Sequence, residues 1–190
     1  MTEVLDVYDF DKTIYAGDSS IDFWKFCIRK HKRCMLLVPK ILYYFVLYSF
    51  GQRSKTEFKE AFFSFLRYIP DIDCDIAEFW EQNKANISSW YLDLERDDGL
   101  VISASPEFLL FPICEELHLK LIGSKINKKS GEFSGHNCHG VEKVRRFQQE
   151  YPGWNIHEFY SDSQTDRPLA EIAEKSYLVS GNTLIPWKFT

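Results

Sequence analysis

The chain has 190 residues, which is long enough to bury an apolar core as one domain or as a core with a sub-domain. Hydrophobic residues make up 45% of it and charged residues 27%, ordinary globular values that exclude intrinsic disorder and collagen-like repeats. The net charge of −5 is opposite to the basic excess of nucleic-acid-binding domains, so no nucleic-acid partner is expected.

The cysteines and the first residues bear on the compartment. The five cysteines are widely spaced without a Cys-x-x-Cys pair, which argues against a disulfide framework or zinc ribbon and favours reduced thiols. The opening MTEVLDVYDFD is acidic and strand-like, whereas a secretory signal has a basic start and an apolar stretch. We therefore expect a cytoplasmic protein.

The first predicted element is a buried strand over residues 4–10, because apolar and β-branched residues there run into a cluster of carboxylates. From residue 19 to about residue 94, apolar residues recur at helical spacing, which predicts three to five helices and no strand. This helical block is interpreted as one insertion after the first strand.

Strands and helices alternate after this block. We predict strands over residues 100–102, 119–126, 156–160 and 176–179, helices over residues 107–117, 142–150 and 168–174, and a small hairpin over residues 130–135. Such alternation is typical of an α/β fold with a parallel sheet covered by helices on both faces.

The apolar run at residues 35–50 within the helical block needs its own interpretation. It is shorter than the roughly 20 residues that a bilayer-spanning helix needs, and Pro39 and Lys40 interrupt it. We interpret it as a buried or partly exposed helix, and the basic run at residues 29–33 as a solvated face. The alternative is contact with a membrane or a lipid-like substrate, because basic residues beside an apolar helix are typical of interfacial helices.

The strongest chemical signal is Asp9-Phe10-Asp11-Lys12-Thr13, directly after the first strand. Ligands of open α/β sheets bind beyond the carboxyl ends of the strands. Two neighbouring carboxylates repel each other unless a cation or a shared proton relieves them, and Mg²⁺ with its preference for oxygen ligands is a natural partner. A carboxylate can also attack phosphorus, and a second one can act as general acid and base. The alternative is a helix-capping or loop pair.

Three further signals follow in order. Ser103 comes directly after a strand and before a helix, where a hydroxyl and backbone N–H groups can bind an anion. Lys143 is a compact cation suited to a phosphoryl oxygen. Asp162 and Asp166 follow another strand and can complete a metal site. Alone, Ser103 is better explained as a helix cap and Lys143 as a surface charge, and Asp162 and Asp166 are as readily explained by a helix cap. Together they supply what phosphoryl transfer needs.

In this order of motifs the chain resembles the haloacid dehalogenase superfamily of phosphohydrolases, and most of all the branch containing phosphoserine phosphatases. The motifs run from residue 9 to residue 166, and the stretch Asn137-Cys138-His139-Gly140 is also similar to this branch. The resemblance implies a Rossmann-like parallel sheet core, residues 1–15 and 96–190, with a helical cap inserted at residues 16–95. It also implies a Mg²⁺-dependent phosphatase that hydrolyses a small-molecule phosphomonoester.

The resemblance assigns roles residue by residue. Asp9 is the nucleophile and a Mg²⁺ ligand, while Asp11 is the general acid and base and offers its backbone carbonyl to the metal. The remaining positions bind the phosphoryl group (Ser103, Lys143), bind or support the metal (Asp162, Asp166), or steady the first loop (Thr13).

The substrate-contacting residues of the cap differ from the pattern of this branch. Phosphoserine phosphatases usually carry a Glu early in the cap, and the matching position here is Asp18, a candidate substrate contact with a shorter side chain. Arg53 and Arg67 are candidates for holding a substrate carboxylate. The aromatic, apolar cap would suit a larger or more apolar phosphoester. We expect the cap to open and close about hinges near residues 15–17 and 97–99, since glycine there eases backbone change.

The same residues are also compatible with other functions. One is a phosphotransferase, or a lipid-phosphate phosphatase that contacts a membrane. Another is a non-enzymatic phospho-acceptor, because response-regulator receivers also combine an acidic cluster, a Ser or Thr and a Lys. Asp11 argues against the phospho-acceptor, since a built-in acid and base would speed loss of the phosphoryl group.

Overall fold

A computed structural model describes residues 3–94 and 98–189, and these ranges contain a six-stranded sheet of order β3-β2-β1-β4-β5-β6. The strands are β1 (Val4–Tyr8), β2 (Leu100–Pro106), β3 (Lys120–Ser124), β4 (Asn155–Ser161), β5 (Ala173–Ser180) and β6 (Thr183–Pro186). The first five are parallel and β6 is antiparallel to β5. The predicted parallel α/β sheet is thus confirmed, whereas β6 was not predicted.

Helices cover both faces of the sheet. Side chains alternate along a strand, so Val7 and Tyr8 point to opposite faces and belong to two separate apolar clusters. On the Val7 face pack the helices α7 (Val141–Glu150) and α8 (Arg167–Ala170). On the Tyr8 face lie α6 (Glu107–Glu116) and the helices inserted between β1 and β2.

The described part of the insertion is helical, as predicted. It contains α1 (Ser19–Lys30), α2 (Val38–Ser49), α3 (Lys55–Phe63), α4 (Ile72–Asn83) and α5 (Ser89–Leu92), joined by short 3-10 turns. Local capping sets several of the starts. Asp18 accepts from the backbone N–H of Ile21 (3.0 Å), and Ser54 and Glu57 form a reciprocal capping box at α3. We call this block the cap.

Several predicted boundaries differ from the structure. The helix predicted over residues 168–174 ends at Ala170, because Ala173 already pairs with Ile156 in the sheet. At residues 130–135 a bridge joins Ile126 and Phe133 in place of a regular hairpin. The expected end of the cap, between residues 95 and 96, lies outside the described residues, as does Asp97 of the second expected hinge. Among the described helices, none is both long and apolar enough to cross a membrane.

Candidate active site

The loop after β1 places two carboxylates at the carboxyl edge of the sheet. The backbone N–H of Asp9 donates to the carbonyl of Tyr160 in β4 (2.8 Å), which fixes Asp9 between the ends of two strands. Lys12 has a positive φ of 57°, which is uncommon for a residue with a side chain. Such backbone conformations are held by surrounding structure and concentrate at functional sites.

A buried chain of charges connects Asp9 to two other elements. The ammonium of Lys143, in the first turn of α7, donates to Asp9 Oδ1 (2.6 Å) and to Asp166 Oδ2 (2.7 Å). Asp166 Oδ2 also accepts from the Ser161 hydroxyl (2.8 Å). Lys143 is only 2% exposed, and a cation so deeply buried is stable only when paired.

The pKa values of this group follow from burial and pairing. Burial raises the pKa of Asp9 to about 7, although the attraction of Lys143 opposes the rise and the carboxylate of Asp166 adds to it. Burial alone would lower the pKa of Lys143, but the carboxylates of Asp9 and Asp166 outweigh it and hold this pKa above its ordinary value. Lys143 therefore stays a cation beside a carboxylate that carries a large desolvation cost.

Asp11 is held by donors other than Lys143. Its Oδ1 accepts from the backbone N–H of Ser19 (2.6 Å) at the start of α1, and its Oδ2 from the hydroxyl of Ser105 (2.5 Å). Burial and the neighbouring carboxylate of Asp18 raise the pKa of Asp11, and the bonds from Ser105 and Ser19 lower it in part. A carboxyl group with a raised pKa can carry a proton to a leaving group at neutral pH.

The remaining predicted residues complete the same edge of the sheet. Ser103 is buried in β2, and its hydroxyl oxygen accepts from the backbone N–H of Ser105 (3.1 Å). The Thr13 hydroxyl accepts from the backbone N–H of Asp162 (3.0 Å), which ties the β1 loop to the β4 loop. Burial raises the pKa of the Asp162 carboxyl group.

These side chains surround an open cavity of about 270 Å³. Most of the residues marked from the sequence line it (Asp9, Asp11, Asp18, Ser103, Lys143, Asp162, Asp166). The lining also contains residues that were not predicted (Lys12, Lys55, Ala104, His139, Ser163, Thr165). Thr13 is fully buried behind it.

A second cavity of about 320 Å³ adjoins the first and shares Asp11, Asp18, Lys55 and Ala104 with it. Its remaining lining is mostly apolar and comes largely from α3 (Ser20, Ile21, Phe58, Lys59, Phe62, Phe63, Ser105). Asp11 thus lies where a polar, charged cavity meets an apolar one.

Lysines, not the two candidate arginines, line these cavities. Arg53 pairs with Glu57 and Arg67 with Glu132, and neither arginine lines either cavity. Lys59 donates to the Ala104 carbonyl (2.8 Å) and to the Asn137 side chain (3.0 Å). Burial lowers the pKa of Lys59 to about 8. A helical cap offers several cationic positions, and the sequence carries no motif that distinguishes them.

Asp18 has a structural role as well as a place at the cavities. Its Oδ1 caps α1 by accepting from Ile21, while the residue borders both cavities. Its position matches the expected substrate contact, but one of its oxygens is already engaged.

The donor set suits a hard divalent cation. Asp9 and Asp162 offer carboxylate oxygens, and five Asp residues line the 270 Å³ cavity against three Lys residues. A separate group of possible ligands lies outside both cavities. Among the described residues, Asp6, His157 and Glu158 are the only three His, Cys, Asp or Glu side chains whose ligand atoms all lie within 4.8 Å of one another. Both oxygens of the Asp11 carboxyl group accept hydrogen bonds, from Ser19 and Ser105, which is compatible with the expected role of its backbone carbonyl as the metal ligand.

The family model for haloacid dehalogenase-like hydrolases matches residues 7–171. The chain belongs to this family. It is therefore an enzyme of a hydrolase family, and both cavities lie within its α/β core and inserted cap. No curated protein matches the chain.

Several solved structures share the fold of this haloacid dehalogenase-like chain. A protein of unknown function from Bordetella pertussis Tohama I is similar at a TM-score of 0.75 and 20% identity, over 94% of this chain and 90% of that one. A phosphoserine phosphohydrolase-like protein from Francisella tularensis aligns at a TM-score of 0.53 and 17% identity, over 94% and 87%. A phospho-aspartyl intermediate analogue of phosphoserine phosphatase aligns at a TM-score of 0.53 and 16% identity, over 94% and 87%.

Proposed function

We propose that this protein is a Mg²⁺-dependent phosphatase that hydrolyses a small-molecule phosphomonoester through an aspartyl-phosphate on Asp9. The observation that carries the proposal is the position of Asp11. It borders both the charged cavity containing Asp9 and the apolar cavity under the cap. A phosphoryl group in the first cavity would place its leaving group in the second, with a protonatable carboxyl group between them.

In the proposed mechanism, Asp9 acts as the nucleophile and Asp11 transfers the protons. A carboxylate oxygen of Asp9 attacks phosphorus and the bond from phosphorus to the ester oxygen breaks. Asp11 gives its proton to that oxygen, which leaves as an alcohol. Asp11 then takes a proton from water, whose oxygen attacks phosphorus and displaces the Asp9 carboxylate, leaving inorganic phosphate.

The surrounding groups stabilise the charge of the phosphoryl oxygens. Lys143 is fixed by Asp9 and Asp166, which use two of its three N–H donors among the described residues. The Ser103 hydroxyl lies in the same cavity and can donate to a second phosphoryl oxygen. Because these donors are buried and already oriented, little reorganisation accompanies the reaction.

The metal has a clear place in this proposal. Asp9, Asp162 and the backbone carbonyl of Asp11 would hold Mg²⁺, with Asp166 as a supporting charge. When bound, the ion neutralises phosphoryl charge and lowers the repulsion between the phosphate and the aspartates.

The second cavity indicates the leaving group. Three aromatic side chains of α3 line it (Phe58, Phe62, Phe63), and Lys55 and Lys59 are its cations. Phosphoserine would offer a small, strongly polar leaving group, which this surface matches poorly. A phosphomonoester of a larger, partly apolar alcohol fits better.

Hydrolysis of p-nitrophenyl phosphate with Mg²⁺ tests the proposal. We expect turnover by the wild type and a loss of about 10³-fold or more in Asp9→Asn, because the amide is not a nucleophile. Asp73→Asn is the matched control, since it changes an exposed carboxylate that lines neither cavity. Unchanged turnover in Asp9→Asn would show that the nucleophile is assigned wrongly.

The same protein separates the competing functions. Stable labelling of Asp9 by acetyl phosphate, with no release of phosphate, would identify a phospho-acceptor. Formation of a phosphorylated alcohol in excess glycerol, in place of inorganic phosphate, would identify a phosphotransferase.

A further inference from the structure

The outward face of α2 is apolar along its whole length. None of its twelve residues is buried, and Leu42 and Tyr43 are both 60% exposed. Other large apolar side chains share this exposed face (Val38, Phe45, Val46). At the helical spacing of 100° per residue, only two side chains on this face carry a hydrogen-bonding group, Tyr43 and Ser49. A helix face with so many exposed large apolar side chains is normally covered by protein or lipid.

The exposed apolar surface continues beyond both ends of α2. Met35 and Leu36 precede the helix and Phe50 follows it, and the last two are 71% and 77% exposed. A continuous patch of this kind exceeds the scattered single apolar residues of an ordinary surface and marks an interaction site. We call residues 35, 36, 38, 42, 43, 45, 46 and 50 the α2 patch.

The segment that carries the α2 patch has one sign of charge along the sequence, although three of its cations pair with carboxylates of neighbouring segments (Lys25, Lys30, Arg53). Residues 23–56 contain eight Lys or Arg and no Asp or Glu, although the chain as a whole has a net charge of −5. Lys32 and Arg33 are exposed in the 3-10 turn just before α2. The apolar patch therefore lies within the most basic part of an acidic protein.

We propose that the α2 patch docks on the surface of an anionic lipid bilayer, with α2 lying in the interface. Aromatic and aliphatic side chains flanked by cations are the composition of interfacial helices, which gain from apolar burial and from attraction to anionic headgroups. A helix of twelve residues spans only about 18 Å, too short to cross the roughly 30 Å hydrocarbon layer.

Charge favours the bilayer over other occupants. A second copy of this chain docked patch to patch would bring two basic segments together, which is unfavourable. A protein partner would normally find polar groups at the rim to match its own, whereas the patch offers few besides its cations. An anionic lipid surface matches both the apolar face and the exposed cations Lys32 and Arg33 that precede it.

The α2 patch is also joined to the apolar cavity of the site. Phe58 of α3 packs on Phe45 and Tyr48 of α2, with ring centroids 5.6 Å apart in each case, and Phe58 lines the 320 Å³ cavity. Through Phe58, the helix that would lie on the bilayer is in contact with the wall of that cavity. The docking itself does not depend on the proposed catalysis, so its test needs no substrate.

Flotation with lipid vesicles tests the proposal. We expect the wild-type chain to float with vesicles of phosphatidylcholine mixed with phosphatidylglycerol, less with phosphatidylcholine alone, and less as salt is raised. Replacing Leu42 and Val46 together by Gln should lower the partition coefficient at least ~10-fold, because both side chains leave the apolar surface. Replacing Lys32 and Arg33 together by Gln should lower binding to the anionic vesicles several-fold and flatten the salt dependence.

Phe111→Gln changes an exposed apolar residue of α6, outside the α2 patch, and should float like the wild type. Circular dichroism checks that each variant is folded. Absence of flotation with anionic vesicles at low salt would overturn the proposal, as would flotation unaffected by the Leu42 and Val46 changes. A dimer in sedimentation velocity that these changes abolish, without vesicle binding, would show instead that a second copy covers the patch.

Discussion

Two hydrogen-bond donors, one in the cap and one in the sheet, hold the carboxyl group of Asp11. Ser19 belongs to the cap and Ser105 to the end of β2, and they lie 8 and 94 residues from Asp11 along the chain. A hydrogen bond to a carboxylate stabilises its ionised form, so these donors oppose the effect of burial on the pKa of Asp11. Both fix the carboxyl group at the boundary of the two cavities, which makes them positioning residues for the proposed acid.

Ser105→Ala should change the pH dependence of the reaction. Loss of the hydroxyl removes a bond that lowers the pKa of Asp11, so this pKa rises and the acid form persists to higher pH. We therefore expect the alkaline limb of kcat/KM to move to higher pH, and kcat to fall about 10-fold because the carboxyl group is less well fixed. A pH–rate profile with p-nitrophenyl phosphate measures both.

Ser176→Ala is the matched control for this prediction. It also removes a buried hydroxyl, one that donates to the Ala170 carbonyl (2.7 Å), but it lines neither cavity. Its stability should fall while its alkaline limb stays in place. An unmoved limb in Ser105→Ala would mean that Ser105 does not influence the acid.

Three of the four chemical signals in the sequence follow predicted strand ends, and the fourth, Lys143, lies in a predicted helix. Asp9, Ser103 and Asp162 could be placed together because parallel strands share one carboxyl edge. Ser105, Ser19 and Ser161 could not, since their value lies in hydrogen bonds to carboxylates whose approach depends on the tertiary fold. Their sequence signal is only a serine near a strand or a helix start, which is common in any chain.

The helix α3 connects cap stability to the cavities. Ser54 and Glu57 satisfy each other's backbone N–H groups at its first turn, with Ser54 Oγ accepting from Glu57 N at 3.2 Å. From this start, Lys55, Phe58 and Lys59 project into the 320 Å³ cavity at helical spacing. Fraying of the first turn would therefore loosen the wall of the cavity that faces the proposed leaving group.

Ser54→Ala should lower the free energy of unfolding by about 1 kcal/mol, the usual cost of losing an N-cap side chain. Chemical denaturation followed by circular dichroism measures it. Ser49→Ala is a useful comparison, because Ser49 is an exposed serine at the end of α2 that bonds only to Phe45 O (2.9 Å) among the described residues. Its expected change is within about 0.5 kcal/mol. Equal losses in both variants would argue against a special contribution of the capping box.

At the level of elements, periodicity predicted the buried strands and the helices and missed the exposed edge strand β6. The strand β6 was missed because most of its residues are exposed and it follows a tight turn at Gly181 (φ 58°). Periodicity cannot signal an edge strand that has no buried face. The shortened α8 was overestimated because local propensity does not show that the next residues are taken up by the sheet.

Across the whole molecule, aromatic side chains join the cap to the α/β core. Phe10 after β1 packs against Trp80 of α4 at 5.9 Å, and the Trp80 indole N–H donates to the Leu109 carbonyl in α6 (2.7 Å). Tyr8 and Tyr160 of the sheet contact Trp90 of α5. All six residues belong to one buried cluster drawn from both parts. Part of the high aromatic content of the chain thus serves the joint between cap and core.

This joint limits how the expected cap movement can occur. Tyr15, in the first expected hinge, is fully buried against Trp80, so α4 and α5 are fixed to the core. The helices α1 and α3 belong to the same buried cluster through Phe23 and Phe63, so opening of the cap over the site would have to move them within this cluster. The hinge at residues 15–17 stays a prediction.

Because cap and core share one apolar cluster, the described parts should unfold together. We expect a single equilibrium transition, with hydrogen exchange in α4 and in β1 governed by the same free energy of opening. Trp80→Phe should lower that free energy by about 2 kcal/mol in both elements, because it removes the indole hydrogen bond to the Leu109 carbonyl and opens space in the cluster. Exchange read by mass spectrometry separates the two elements. A loss confined to α4, with β1 unchanged, would show a cap that unfolds independently, and the shared aromatic cluster would then contribute little to cooperativity.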